Sequence, residues 1–356
     1  MKSYVDFLTE AAEGPRIPHP EDSIFAGSAE ATKYVEALRS IIRNPSEITI
    51  KWDGMIALYF GRNEAGRFFI ADKYMPAKNV YPKSPKDWVE YDRNRGANRN
   101  DLYQRIALIW SGLEQAVGST PGTFKGDLMF AGSLEPVNNQ FIFKPVTVEY
   151  HVPVNSDLGR LIAGRVGLVV VHQYNGSPWN GRGLASNTQV AVIPSNMGIR
   201  FTLKDPVKLS NDASIALAQT GTSVDQFLSG MPKVSQNALQ TYLAHYKVRK
   251  TQLSLGDWLK DNVSGKQYKF LINDGTGYLV KNRRGLEGLF KIWNSISALK
   301  ENLAQQLEPQ VQGMQQFVNG QNQGEGFVIP SSIGLIKLVQ RSEFGAAHFN
   351  GFAEKK

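Results

Sequence analysis

The chain has 356 residues, enough for one large or two modest domains, and its 42% apolar content is enough for a sizeable core. A formal charge of +8 does not set the fold, but it favours a polyanionic partner such as nucleic acid over a merely basic protein without one. The absence of cysteine excludes disulfides and thiolate zinc sites, and no apolar run approaches the roughly 20 residues needed to span a membrane.

Residues 1–45 read as a helical lead-in. Tyr4, Phe7 and Leu8 form a short apolar stripe, and Gly14 to Pro20 is a proline-bearing break. Ser28 is placed to cap a helix carrying Ala31, Tyr34, Val35, Leu38, Ile41 and Ile42 at helical spacing. Asp6 and Glu10 interrupt any signal-peptide core, so a cytoplasmic location is the default. His19-Pro20-Glu21-Asp22 reads as a turn before a helix, because a metal site needs more convergent ligands.

The most informative stretch follows. Ile48 and Ile50 alternate with polar neighbours, as in a half-buried strand, and Met55 to Phe60 reads as a buried one. Asp53-Gly54 between them predicts a hairpin turn, with Lys51 at its mouth. A lysine attacks only when deprotonated, and partial burial near other cations or a metal lowers its pKa. A charged hairpin turn is the plain alternative for this short motif.

Arg67 to Ala71 continues as a strand, followed by Asp72-Lys73. Pro76, Pro82 and Pro85 break the next stretch. Arg93, Arg95 and Arg99 interleave with Tyr91, a pattern that suits a nucleic-acid backbone or a solvated loop equally. Leu102, Ile106, Ile109, Leu113 and Val117 mark an amphipathic helix. Residues 123–130, 141–151 and 166–174 read as strands, and many strands with few helices between them argue for antiparallel sheets. Residues 206–315 change character. A stripe from Leu286 to Leu307 predicts a long core helix, and basic clusters stand at Lys247, Arg249 and Lys250 and at Lys281, Arg283 and Arg284.

Lys51-Trp52-Asp53-Gly54 resembles the first motif of the covalent nucleotidyltransferases, the polynucleotide ligases and mRNA-capping enzymes. Later segments resemble that family's motifs in the right order. Phe124 to Phe130, with Asp127, resembles the third motif. Val166 to His172 resembles the strand that follows it. Gly324-Glu325-Gly326-Phe327 resembles the fourth motif, and Ile336-Lys337-Leu338-Val339 the fifth. The opening also resembles ligase-like proteins encoded by bacteriophages. The resemblance implies an α+β fold: an antiparallel-sheet nucleotidyltransferase core over 46–205 and 316–356, interrupted by a basic helical insertion over 206–315 that clamps a duplex. Arg341 stands near the end of the chain, so a C-terminal OB domain is not expected. The four-cysteine zinc finger of NAD-dependent ligases is missing as well.

The resemblance further implies ATP and magnesium, or manganese, as cofactors. Lys51 is then the nucleophile that carries AMP, Asp53 orients it, and Lys337 touches the α-phosphate. Thr49 faces the adenine edge, with Ile50, Gly54 and Val171 also against the nucleotide. Asp127 and Glu325 hold the ribose or the metal. The family has arginine two residues after the motif glycine. Ile56 stands there, so Arg62 is the expected replacement. The fifth motif's second lysine is Val339 here, with Arg341 as substitute. Lys73, Arg93, Arg95, Arg99, Lys281, Arg283 and Arg284 are the remaining nucleic-acid candidates. A monomer acting on nicked DNA is the first expectation, with RNA or mixed ends close behind. Two alternatives stand beside it: a nucleic-acid-binding protein without chemistry, and transfer of AMP to a protein or small molecule.

Overall fold

The computed structural model describes residues 18–40, 48–72, 75–173, 183–195, 209–249 and 283–341. The expected class holds: the fold is α+β, with twelve strands in three sheets among the described residues. The first sheet is antiparallel and joins β1 (Thr49–Ile50), β11 (Gly326–Ser331) and β12 (Gly334–Val339), in that order. The second, also antiparallel, runs β10 (Gln321–Asn322), β9 (Gln315–Val318), β6 (Glu149–Pro153), β5 (Gln140–Phe143). The third is mixed. Its order is β3 (Phe68–Ala71), β2 (Ile56–Arg62), β4 (Gly122–Phe130), β7 (Val166–Gln173), β8 (Val190–Pro194), and only the β7–β8 pair is parallel. That pair departs from the purely antiparallel expectation.

The third sheet is buried on both faces where β7 and β8 meet. Strand side chains alternate between faces. Leu168 and Val170, with Val190 and Val192, enter one hydrophobic cluster. Val169, Ala191 and Ile193 enter the other. This is why β7 and β8 read as near-continuous apolar runs. Helices α2 (Pro85–Asn94) and α3 (Asn100–Val117) cover the first face, with Trp88, Ile106, Ile109, Trp110 and Leu113 in its cluster. Ser84 caps α2 by accepting the Asp87 amide at 3.2 Å. The short α4 (Asp157–Ile162) lies beyond β6.

The hairpin expected at Asp53-Gly54 does not form. β1 pairs with β11, through Thr49 opposite Val328, while β2 pairs with β3 and β4. Residues 51–55 are therefore a crossing from one sheet to another.

The helices of the 206–315 stretch are α5 (Asp212–Ser229), α6 (Lys233–Arg249) and α7 (Arg283–Leu307). They are packed into the body of the protein. Leu217, Phe227, Trp293, Ile296 and Leu303 share one cluster with Ile24 and Leu38 of the N-terminal region and with Phe327 and Leu338 of the first sheet. Specific bonds reinforce this contact. Asp225 of α5 accepts from the Ser28 amide at 2.7 Å and its hydroxyl at 2.6 Å, at the start of α1 (Ser28–Ser40). Trp293 Nε1 donates to Asp22 at 3.1 Å. β9 begins at Gln315, inside the stretch expected to be an insertion, and pairs with β6.

Candidate functional site

Every residue of the crossing is pinned. The Lys51 amide donates to Gly326 O at 2.9 Å and extends the β1–β11 ladder by one residue. The Met55 amide donates to Leu128 O at 2.8 Å and starts the β2–β4 ladder. Between them, Trp52 is buried, donates through Nε1 to Ser195 O at 3.0 Å, and stacks on Tyr150 with centroids 5.1 Å apart. The Asp53 amide donates to the Tyr150 hydroxyl at 2.7 Å. Its carboxylate accepts from the Thr147 and Val148 amides at 2.6 and 3.0 Å. Gly54 lies flat on β4: an added Cβ would stand 2.4 Å from the Asp127 Cβ. The glycine is needed here for close approach.

This path delivers the Lys51 amine to Glu325, which immediately precedes β11. Nζ lies 2.7 Å from Glu325 Oε2 and donates to Trp52 O at 3.1 Å. Gly326 has φ of 131°, and a Cβ there would meet Leu338 O at 2.0 Å, so the turn after Glu325 admits only glycine. Asp127 on β4 and Lys337 on β12 complete the group. Burial pushes the Asp127 carboxyl up, with help from the Asp53 charge, against the pull of Lys51, Lys125 and Lys337. Burial likewise raises Glu325, again with Asp53 and against Lys51 and Lys337. Burial alone would lower the Lys51 amine, but Glu325, Asp127 and Asp53 outweigh it, and its pKa is raised. The resting amine is therefore an ammonium, contrary to the depressed pKa expected of a nucleophile.

The chain matches the model of a family of unknown function (DUF6267) over residues 16–231 and 224–353. It belongs to that family. Comparison with curated proteins and with solved structures gives no match.

In this DUF6267 protein, Lys51, Asp53, Gly54, Asp127, Glu325 and Lys337 converge as the motif order implied. Thr49 sits on β1, its hydroxyl donating to Val328 O at 3.3 Å. The Ile50 side chain is buried in the hydrophobic core, away from the Lys51 amine. Val171 falls at an irregularity of the β4–β7 register, opposite Lys125 and Gly126. Among the described residues, no group of three or more His, Cys, Asp or Glu is set to hold a metal ion. Asp127 and Glu325 offer two carboxylates.

Other expected residues lie elsewhere. Arg62 is at the far end of β2, opposite Gly122, and its guanidinium donates to Gly118 O and Gly66 O. Six residues of strand separate it from Ile56, about 20 Å, so it does not replace the missing motif arginine. Arg105 of α3 comes closer: it reaches Met55 Sδ at 2.5 Å. A groove of about 740 Å³ runs past this contact, lined by Met55, Arg105, Phe130 and Lys144 among others.

Arg95 and Arg99 are occupied by Asp72 and Asp92, at 2.5 to 3.2 Å, and lie over the Tyr91 and Trp88 rings. They tie α2 to the loop after β3. Although its burial opposes this, the hydrogen bonds from Arg99, Arg95 and Tyr103 hold the Asp92 carboxyl down at about 2. Arg341 is buried against Asp22 at 2.7 Å and Glu21 at 3.3 Å, with Trp293 beneath it. These three arginines hold the fold together, and their charges are matched within it. Arg93 and Arg284 are exposed. Lys73, Lys281 and the Arg283 side chain lie outside the described residues, as do Lys250 and the side chains of Lys247 and Arg249.

Sequence reasoning missed Tyr150, the Thr147–Val148 amides and Arg105. No local signal marks them, because each reaches the crossing from a distant segment.

Proposed function

We propose that this DUF6267 protein is an ATP-dependent polynucleotide ligase in which Lys51 carries AMP, with nicked DNA as preferred substrate. The reading adopts an antiparallel nucleotidyltransferase core as the ancestry of the fold. The observation that carries it is the Lys51–Glu325 contact at 2.7 Å, made across 274 positions, with Asp127 and Lys337 acting electrostatically on the same pair. A chance Lys-x-Asp-Gly turn has no reason to gather the later motif residues.

ATP supplies the adenylyl group. Asp127 and Glu325 fit a magnesium or manganese ion: burial raises both carboxyls, and a divalent cation relieves that penalty. When bound, such an ion polarises the phosphoryl oxygens and offsets their charge. The chain's own residues do the rest. Glu325 and the Trp52 carbonyl aim the Lys51 Nζ. Once the Asp53, Asp127 and Glu325 charges are compensated, burial becomes the main influence on Lys51, and it favours the neutral amine. The amine then attacks the α-phosphorus. An N–P bond forms, the P–O bond to pyrophosphate breaks, and the proton of the attacking amine passes to solvent. Lys337 offsets charge growing at the α-phosphate. AMP next passes to a 5′-phosphate, and a 3′-hydroxyl displaces it. The groove past Arg105 and Lys144 is a path for the polynucleotide.

Incubation with labelled ATP and magnesium is expected to label the wild type covalently and to leave Lys51→Ala unlabelled. Equal labelling of both removes Lys51 from the mechanism. A panel of nicked duplexes with DNA or RNA on each side then ranks the ends. A second reading, nucleic-acid binding without chemistry, is favoured by Ile56 standing where the family has arginine. It predicts salt-sensitive DNA binding with no adenylate formed.

A further inference from the structure

Two adjoining cavities, of about 710 and 740 Å³, lie along the first half of α3. They meet at Met55, Asp101 and Arg105, which line both. Met55 ends the crossing that carries Lys51, so the groove shares a backbone segment with the Lys51 group.

The groove holds two cations that no acid matches. Arg105 is half-buried and has five donors, yet it donates to the Met55 thioether, a weak acceptor, at 2.5 Å. Lys144 is exposed on the second cavity. Among the described residues no carboxylate pairs with either, and Asp101 is the one acid of the lining. Arg99 also lines the first cavity, but Asp72 and Asp92 match its charge.

The rest of the lining is apolar or amide. Leu108 is 54% exposed, one of three large apolar side chains so exposed among the described residues. The buried Phe130 and Phe143 belong to the same apolar wall. Asn98 and Asn100 on the first cavity and Gln104 on the second are exposed amides. A ligand that satisfies all of these carries anionic groups, flat apolar faces and hydrogen-bonding edges. An unpaired polynucleotide strand has the three together. A duplex hides its base faces in the stack and leaves Leu108 uncovered. An acidic peptide brings charge without the faces.

Resting on the polynucleotide reading of this groove, we infer that it binds an unpaired strand over roughly two to four nucleotides. Arg105 and Lys144 hold phosphates, and Leu108 covers a base. At a nick, the strand reaches the groove by fraying from the duplex.

The test follows the fluorescence anisotropy of a labelled DNA strand of about 12 nucleotides, and of the blunt duplex built on it, with the full chain across a salt series. The strand is expected to bind about tenfold more tightly than the duplex. Arg105→Ala is expected to weaken strand binding about tenfold and Lys144→Ala about threefold. Each flattens the salt slope by about 0.7. Leu108→Ser is expected to weaken it about threefold with the slope unchanged. Lys144 and Leu108 are exposed, so their variants probe the groove without disturbing the core. A duplex that binds as tightly as the strand, equal displacement of the strand by polyglutamate, variants that bind as the wild type does, or no strand binding, each overturn the inference. Labelling of Lys51 is read separately. If the strand binds through Arg105 while no adenylate forms, the ligase reading fails and the groove stands. If adenylate forms and strand binding ignores these variants, only this inference fails.

Discussion

Two buried charge clusters lie close together and are built on opposite principles. In the first, Glu21 and Lys300 are both fully buried and 2.5 Å apart, while Arg341 spans Glu21 at 3.3 Å and Asp22 at 2.7 Å. Two acids meet two cations. Burial would raise the Glu21 carboxyl, but Lys300 and Arg341 overcome it and hold the carboxyl below its ordinary value. In the second, Asp53, Asp127 and Glu325 crowd one lysine amine, and Asp127 and Glu325 are pushed up. Matched charges hold the N-terminal turn to α7 and to the end of β12. In the second cluster the acids outnumber the amine they surround, and burial keeps Asp127 and Glu325 raised despite the Lys51 contact.

The largest expected effect breaks the first cluster. Glu21→Gln leaves the Lys300 amine buried without its carboxylate and next to the Arg341 charge. Unfolding free energy is expected to fall by about 3–5 kcal/mol, measured by denaturant titration. A loss under about 1 kcal/mol would show that the cluster behaves like a surface pair. The second cluster should respond in activity instead. Glu325→Gln is expected to lower covalent AMP labelling of Lys51 by about a hundredfold, the scale of removing one charge-positioning group. Its denaturation midpoint should stay near that of the wild type, because a carboxyl already disfavoured as an anion is replaced by a neutral group. Equal losses of stability in both variants would erase the contrast.

The contrast was only half visible in the sequence. Lys51, Asp53, Gly54, Asp127, Glu325 and Lys337 announce themselves by residue type, order and flanking apolar runs, so their gathering was legible. Apolar strand-like runs also located β4 and β7, and helical spacing located α3 and α7. The hairpin at Asp53-Gly54 was misread because turn chemistry is local. It cannot say whether two flanking strands pair with each other or, as here, with β11 and β4. Arg341 looked like a free cation because its partner Asp22 lies 319 positions away. Arg95 and Arg99 looked like a basic patch because burial of Asp72 and Asp92 is invisible in composition. Charge patterning shows which cations a chain has. The fold decides which of them are already matched.

The smallest expected effect is the most discriminating, because its sign separates the clusters. Asp127 has its pKa raised in the folded state, chiefly by burial. Above that raised value the folded protein holds an anion it disfavours, whereas the unfolded chain holds it without penalty. The resulting cost is present at pH 7 and disappears as the pH falls below about 4, the unfolded value. Asp127→Asn removes it. The variant is expected to melt slightly above the wild type at pH 7, the two curves meeting near pH 4, while AMP labelling falls. Glu21 has the opposite sign. Its pKa is lowered, so its contribution is present above the unfolded value and is lost as the pH falls towards the folded one. Melting temperatures of wild type, Asp127→Asn and Glu21→Gln, taken from pH 7 down to pH 3, therefore diverge at the neutral end in opposite directions. If Asp127→Asn melts below the wild type at pH 7, the carboxylate is stabilised by Lys51 and Lys337 as a matched charge, and the Lys51 group is another structural cluster.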